Sequence, residues 1–167
     1  MESKARIGKH PIHPMLIPFP LALWTTSFAT DVFFYFHRNT SLLLISKYMI
    51  GAGIIGAAAA AIPGIMDWSA IKHPEAKKVA NWHARLNILA LIIFCVSLYL
   101  RLGRNADLVG RRLTIPFLLS LVGVILISIS GYLGGDLAYR YGIGVSPKPG
   151  APVSEPPAVA GGPSTRS

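Results

Sequence analysis

The chain has 167 residues, enough for one domain, and 52% of them are hydrophobic whereas only 14% are charged. Soluble domains carry roughly 25% charged residues to cover their surface, so this composition excludes an ordinary soluble domain and indicates a lipid bilayer as the solvent. The net charge of +9 comes from short basic clusters beside apolar runs. Such clusters are typical of membrane-interface anchors, and we predict no nucleic-acid partner.

Four apolar runs follow one another at about residues 17–36, 47–66, 84–100 and 113–133. Each has about the length that crosses a bilayer, and the connections between them have roughly 10 to 17 residues. The third run, which is the shortest, is expected to begin earlier, near Val79. This pattern predicts an all-α protein, an integral membrane antiparallel four-helix bundle formed by residues 1–145.

Two segments differ from the rest in composition. The second run is rich in glycine and alanine, which let helices approach closely in lipid, either within one chain or in a homo-oligomer. Residues 146–167 are mostly Pro, Gly, Ala and Ser. They cannot bury enough apolar surface to offset their ordering entropy, and we predict a disordered tail.

An even number of spans places both termini, and the loop between the second and third spans, at one side of the membrane. We call this side the terminal edge and the opposite side the basic edge. The terminal edge collects His10, His13, Asp67, Trp68, His73, Trp82, His83, Asp136, Tyr139 and Arg140. The basic edge holds His37, Arg38, Arg101, Arg104, Asp107, Arg111 and Arg112. A slight excess of Lys and Arg at the terminal edge favours cytoplasmic termini.

His10 and His13 each precede a proline. Because proline pushes the preceding residue toward extended conformations, both histidines are expected in a stiff segment outside the first helix. In one interpretation their imidazoles cap backbone groups or meet lipid headgroups. In the other they bind a metal or haem iron, or handle protons.

His83 begins the third span at the depth where His13 precedes the first, and the two spans run in the same direction, so these histidines can face each other. A helix N-terminus disfavours imidazolium, which would leave the lone pair that an iron or zinc ligand needs. Asn87, one turn deeper, could orient a ligand. Alternatively, His83 is an interfacial residue beside Trp82 in an aromatic belt.

Two acids need partners. Asp67, which with Trp68 closes the second span, lies at the unfavourable end of the helix dipole. Arg85 and His83 are its candidate partners, and a role as acceptor for a ligating histidine is equally open.

Asp31 is the acid placed well inside a span, where carboxylates are costly. Pairing with Arg101 or Arg104, or protonation, would make it structural, and a proton relay is the alternative. Where the fourth span leaves the membrane, Gly134 and Gly135 precede Asp136 and would allow close approach of a neighbouring helix or a flat ligand.

Five of these segments together resemble the bacterial four-span membrane family called domain of unknown function 2231. They are residues 10–20, 67–68, 83–87, 134–137 and 142–145, and the opening His-Pro-x-His-Pro-Met is the most specific of them. The resemblance covers about residues 8–145 and implies an inner-membrane protein of undefined activity. Some relatives are joined to Rieske-type iron–sulfur domains, which implies redox work and redox membrane partners. The single Cys95 excludes a Rieske motif, an intrachain disulfide and a cysteine-based metal site in this chain.

Three hypotheses follow. The favoured one is haem b at the terminal edge of an electron-transfer or redox-accessory subunit, with His13 and His83 as axial ligands, His10 as a competing ligand and Asn87 beside them. The second is a divalent-metal site, structural or transport-related, made by His10, His13, Asp67 and His83. The third is a structural or partner-binding membrane protein without cofactor, in which the histidines only fix helix entry. Under any of the three, structural roles are predicted for Asp31, Trp68, Gly134, Gly135 and Asp136. No nucleophile–base–acid set for hydrolysis is visible. Whether the chain is an enzyme stays open at this point, and the favoured interpretation is that it is not one on its own.

Overall fold

The computed structural model describes residues 3–8, 10–102 and 114–145 of the chain. Its elements, in chain order, are β1 (Arg6–Ile7), β2 (His10–Pro11), α1 (Ile12–Leu16), α2 (Pro18–His37), α3 (Thr40–Ala70), α4 (Pro74–Leu102) and α5 (Thr114–Tyr139). Within these described residues, four long apolar helices pack against one another and the two strands form one short hairpin. The predicted all-α membrane bundle is confirmed. The tail predicted to be disordered, 146–167, lies outside the described residues.

Helices α3, α4 and α5 are longer than the predicted apolar runs, because they continue through polar turns at the membrane interface. Helix α4, for example, begins at Pro74 instead of near Val79. Helix α2 ends at His37 and is followed by Arg38 in the left-handed conformation, and the Asn39 side chain caps α3 by accepting from the Ser41 amide. The first two connections therefore shrink to residues 38–39 and 71–73.

The expectation that both early histidines lie outside the first helix is half wrong. His10 lies in β2, but His13 lies in α1. Pro14 falls in the first turn of α1, where its missing N–H would have had no helical partner. Ile17 keeps helical torsions (φ −54°, ψ −37°), so α1 and α2 form one apolar segment from Ile12 to His37.

The distribution of side chains is the reverse of that in a soluble bundle. Serines fill the interior, and Ser27 and Ser46 are completely buried. Large apolar side chains cover the outside, where Ile55 is 73% exposed and Ile88 59%. Lipid tails accept such a surface, whereas small and hydroxyl side chains let helices meet closely. The four helices, each long and apolar enough to cross a membrane, therefore have the bilayer as their solvent.

The apolar centre of the bundle is an aromatic stack. Trp24 of α2 and Phe94 of α4 lie with ring centroids 4.2 Å apart and planes at 15°. Gly53 on α3 and Gly123 on α5 leave the space that these two rings occupy, since a Cβ at either glycine would overlap the ring. The stack separates the polar groups of the terminal edge from those of the basic edge.

An N-terminal arm, of which residues 3–8 and 10–11 are described, folds back over the terminal edge and is held by Asp67. The carboxylate accepts from the Ser3 hydroxyl (2.7 and 2.9 Å) and from the backbone amides of Lys4 (2.8 Å) and Ala5 (3.4 Å). These contacts replace the sequence-based candidate partners, Arg85 and His83. The reason is that free amide donors of the returning chain reach the carboxylate at the end of α3.

Substitution of Asp67 by alanine should release this arm. It leaves the amides of Lys4 and Ala5 without this acceptor and leaves the Ser3 hydroxyl with the Ala5 carbonyl as its acceptor, at a cost of about 1.5–3 kcal/mol for a charged hydrogen-bond partner. We expect trypsin to cleave after Arg6 several times faster than in the unsubstituted protein, measured by mass spectrometry. Asp136→Ala is the matched control, because it removes another terminal-edge carboxylate, one that pairs at 3.8 Å with Arg140, which is 57% exposed. Equal cleavage rates for both variants would show that Asp67 does not hold the arm.

Candidate functional site

The structure brings His13 and His83 together at the terminal edge. Their ring centroids lie 6.4 Å apart, with the planes at 88°. His13 comes from α1 and His83 from α4, and both are half-buried. The facing arrangement expected from the parallel first and third spans is therefore present.

The His13 ring is fixed against α3. Its Nδ1–H donates to the Ala60 carbonyl at 2.7 Å. One turn along, Gly64 leaves room for the imidazole, since a Cβ there would come within 2.8 Å of the ring. Because a carbonyl can only accept, a proton is on Nδ1, and in a neutral imidazole the lone pair is then on Nε2.

The His83 ring is fixed against α5 in the same way. Its Nδ1–H donates to the Ser130 carbonyl at 2.8 Å, and a Cβ at Gly134 would lie 3.1 Å from the ring. Each acceptor carbonyl lies 47 residues after its histidine. The expectation that a helix N-terminus acts on His83 is wrong, because α4 begins at Pro74 and continues past this residue. Hydrogen bonds to α5 fix the tautomer instead.

Asn87 lies on the predicted face of α4 and touches both His83 and Ser130. Its amide nitrogen is 2.7 Å from the Ser130 hydroxyl and 3.1 Å from Nε2 of His83. Asn87 thus covers the free nitrogen of His83. The hydroxyl of Ser130 and the His83 carbonyl offer its amide alternative acceptors when Nε2 is engaged elsewhere.

The other members of the predicted divalent-metal set lie apart from this pair. His10 is exposed in β2, and the Asp67 carboxylate is occupied by the N-terminal arm. Among the described residues no group of three or more His, Cys, Asp or Glu side chains comes close enough to hold a metal ion.

Trp68 and Asp136 of the terminal edge have local partners. Trp68 donates its indole N–H to Asn81 at 2.8 Å, and the Lys77 ammonium lies 3.5 Å from the centre of the Trp68 ring. Asp136 pairs with Arg140 along α5 at 3.8 Å. The predicted close approach holds for Gly134 but not for Gly135, which has nothing within 4 Å of its Cβ position.

Asp31 pairs with Arg101 near the basic edge, as predicted for a structural acid. The two side chains are 3% and 5% exposed, and the guanidinium donates to both carboxylate oxygens at 2.9 and 2.5 Å. Its remaining donors reach the hydroxyls of Ser46, Ser97 and Ser120 at 3.2–3.3 Å. Arg104, the alternative partner, lies outside the described residues.

Sequence reasoning missed the serines around Arg101 and the two carbonyls that orient the histidines. A serine or alanine inside an apolar run gives no signal of its own. The available signal is spacing, because His13, Gly53 and Gly64 recur 70 residues later as His83, Gly123 and Gly134.

The fold and this site define a multi-pass membrane protein with a pair of oriented imidazoles at one edge of the bundle. The family model described as "Predicted membrane protein (DUF2231)" matches residues 9–147, and the chain belongs to this family. No curated protein and no solved structure matches the chain.

Proposed function

We propose that the chain holds a transition-metal centre between His13 and His83, and that this centre is haem b in an electron-transfer or redox-accessory subunit. The observation that carries the proposal is the common arrangement of the two imidazoles. Both donate Nδ1–H to a main-chain carbonyl, and they face each other at 6.4 Å. This is how proteins orient histidines that bind a metal through Nε2.

The separation of the rings fits ligation from two sides. Two metal–nitrogen bonds of about 2.0–2.1 Å, added to the radii of two imidazole rings, span roughly 6 Å. The ring centroids are 6.4 Å apart. The fit requires Asn87 to leave Nε2 of His83, and its contacts with Ser130 and the His83 carbonyl allow that.

The number of converging imidazoles favours haem iron over a single ion. A structural zinc site takes four protein ligands and a catalytic one three, whereas haem iron would need only these two imidazoles from the protein. When bound, haem would supply one-electron transfer. The carbonyls of Ala60 and Ser130 would hold the rings and increase their basicity.

We also propose a location for the protein and a class of partner. The resemblance implies the bacterial inner membrane, and the excess of Lys and Arg at the terminal edge favours the cytoplasmic side for both termini. A redox role implies a second redox protein in the membrane that exchanges electrons with this chain at the terminal edge.

Haem binding is tested by the absorption spectrum of protein purified from membranes after expression with adequate haem supply. We expect a Soret band, and we expect His13→Ala and His83→Ala each to shift or abolish it. His37→Ala is the matched control, because His37 ends α2 at the basic edge. Size-exclusion profiles of all variants separate loss of haem from misfolding.

Absence of the Soret band would leave two alternatives, a single metal ion or no ligand. If the unsubstituted protein has no Soret band but elemental analysis finds one metal ion that His13→Ala removes, the site binds a single ion and the haem proposal fails. If neither haem nor metal is found, the histidine pair is a structural contact between helices.

A further inference from the structure

The contacts of α1–α3 recur in α4 and α5 at a constant offset of 70 residues. Each histidine donates to a carbonyl at the same spacing, as already described. Ser27 donates to the Ser46 carbonyl at 3.2 Å, and Ser97 donates to the Pro116 carbonyl at 3.3 Å. The buried positions of α3 and α5 also correspond. These are Ser46 and Pro116, Ile50 and Ser120, Gly53 and Gly123, and Ala60 and Ser130.

Three pairs of corresponding residues touch each other across the bundle. They are His13 with His83, Trp24 with Phe94, and Asp31 with Arg101. A residue can contact its own counterpart only close to the axis that relates them. The three contacts therefore trace one two-fold axis, from the terminal edge to the basic edge. Because α2 and α4 run in the same direction, this axis lies along the membrane normal.

We infer that α1–α3, the first unit, and α4–α5, the second unit, are two copies of one helical hairpin. We also infer that the ion pair between Asp31 and Arg101 makes a first unit pair with a second unit and not with another first unit. The partner surface of each unit is thus the inner face of its counterpart. Pairing of two first units would place two Asp31 carboxylates on the axis, and pairing of two second units would place two Arg101 guanidiniums there. Like charges in an apolar interior disfavour both. This inference does not depend on the proposed cofactor.

Exchange of corresponding residues in the full chain tests the two-fold relation. Trp24→Phe and Phe94→Trp should each lower the melting temperature in detergent by several degrees, whereas the double variant should recover most of the loss. Gly123 leaves room beside position 94 as Gly53 does beside position 24. The Ser120 carbonyl corresponds to the Ile50 carbonyl that accepts from the Trp24 indole. Additive losses in the double variant would overturn the two-fold relation.

Exchange of the two charges tests whether the ion pair decides which unit pairs with which. Asp31→Arg and Arg101→Asp should each reduce the yield of monodisperse protein at least tenfold, and the double variant should recover it. The exchanged arginine would have Ser27 one turn earlier, as Arg101 has Ser97. Asp136→Arg and Arg140→Asp are the controls, because this pair is local, four residues apart at the C-terminal end of α5, with Arg140 57% exposed, and they should leave the yield unchanged.

A second experiment uses the two single charge variants together. One chain then carries arginine at both positions and the other carries aspartate at both. The two chains carry different affinity tags. We expect them to be recovered as a 1:1 complex when they are co-expressed, because each arginine unit of one chain can pair with an aspartate unit of the other. Expressed alone, each chain should aggregate. Absence of the complex, or additive losses in the double variant, would overturn the role of the ion pair in pairing.

Discussion

Replacement of Arg101 by glutamine is expected to lower the free energy of unfolding by about 3–5 kcal/mol, the range for breaking a buried ion pair on one side. The substitution leaves the Asp31 carboxylate, which is 3% exposed, without its bidentate partner. The hydroxyls of Ser46 and Ser120 lose their donor as well. Thermal unfolding in a mild detergent, followed by tryptophan fluorescence, measures the effect.

The matched control is Arg140→Gln. Arg140 is 57% exposed and pairs with Asp136 at 3.8 Å, and exposed pairs contribute about 0–1 kcal/mol. Addition of Asp31→Asn to Arg101→Gln should recover part of the stability, because it removes the uncompensated charge. If Arg101→Gln melts like the control, the buried pair does not stabilise the bundle.

Substitution of Gly123 by alanine is expected to give the second large loss. The new Cβ would lie 2.6 Å from the Phe94 ring, and that ring is held against Trp24 by the stack at 4.2 Å. Overpacking of this kind typically costs 1–3 kcal/mol, so we expect a loss of about 2 kcal/mol. The same unfolding assay applies, together with the near-ultraviolet circular dichroism of the aromatic stack.

Gly131→Ala on the same helix provides the control. Nothing lies within 4 Å of its Cβ position, so the change should be neutral or should stabilise α5 by up to about 1 kcal/mol through helix propensity. The difference between the two variants isolates packing from backbone effects. Equal stability of both would mean that Phe94 can move away from α5 without loss.

Several features of the site could be predicted from residue order. The count of four spans predicted that His13 and His83 lie at the same edge on helices of the same direction. In the structure their ring centroids are 6.4 Å apart. The pairing of Asp31 with Arg101 also followed, because a carboxylate inside a span must find a cation at a similar depth. Asn87 was placed by helical spacing alone.

Other features depended on contacts between distant segments. Asp67 accepts hydrogen bonds from Ser3 and Lys4 of the arm instead of from a histidine, because the fold brings these donors, more than 60 residues away in the sequence, next to its carboxylate. His13 was expected outside the helix, but Pro14 is tolerated in the first turn of α1. Backbone carbonyls, such as that of Ala60, have no signature in a sequence, so the orientation of the rings could not be predicted.

The sequence by itself determined the solvent and the secondary structure. Lack of charge and four long apolar runs indicate a bilayer, and in hydrocarbon the backbone must satisfy its own hydrogen bonds, so helices follow. Only the tertiary structure decided which face of each helix turns inward. In lipid the interior of a bundle is no more apolar than its outside, so hydrophobic periodicity does not identify the buried face. Close packing against Gly53 and Gly123, and the pairing of Asp31 with Arg101, settle it instead.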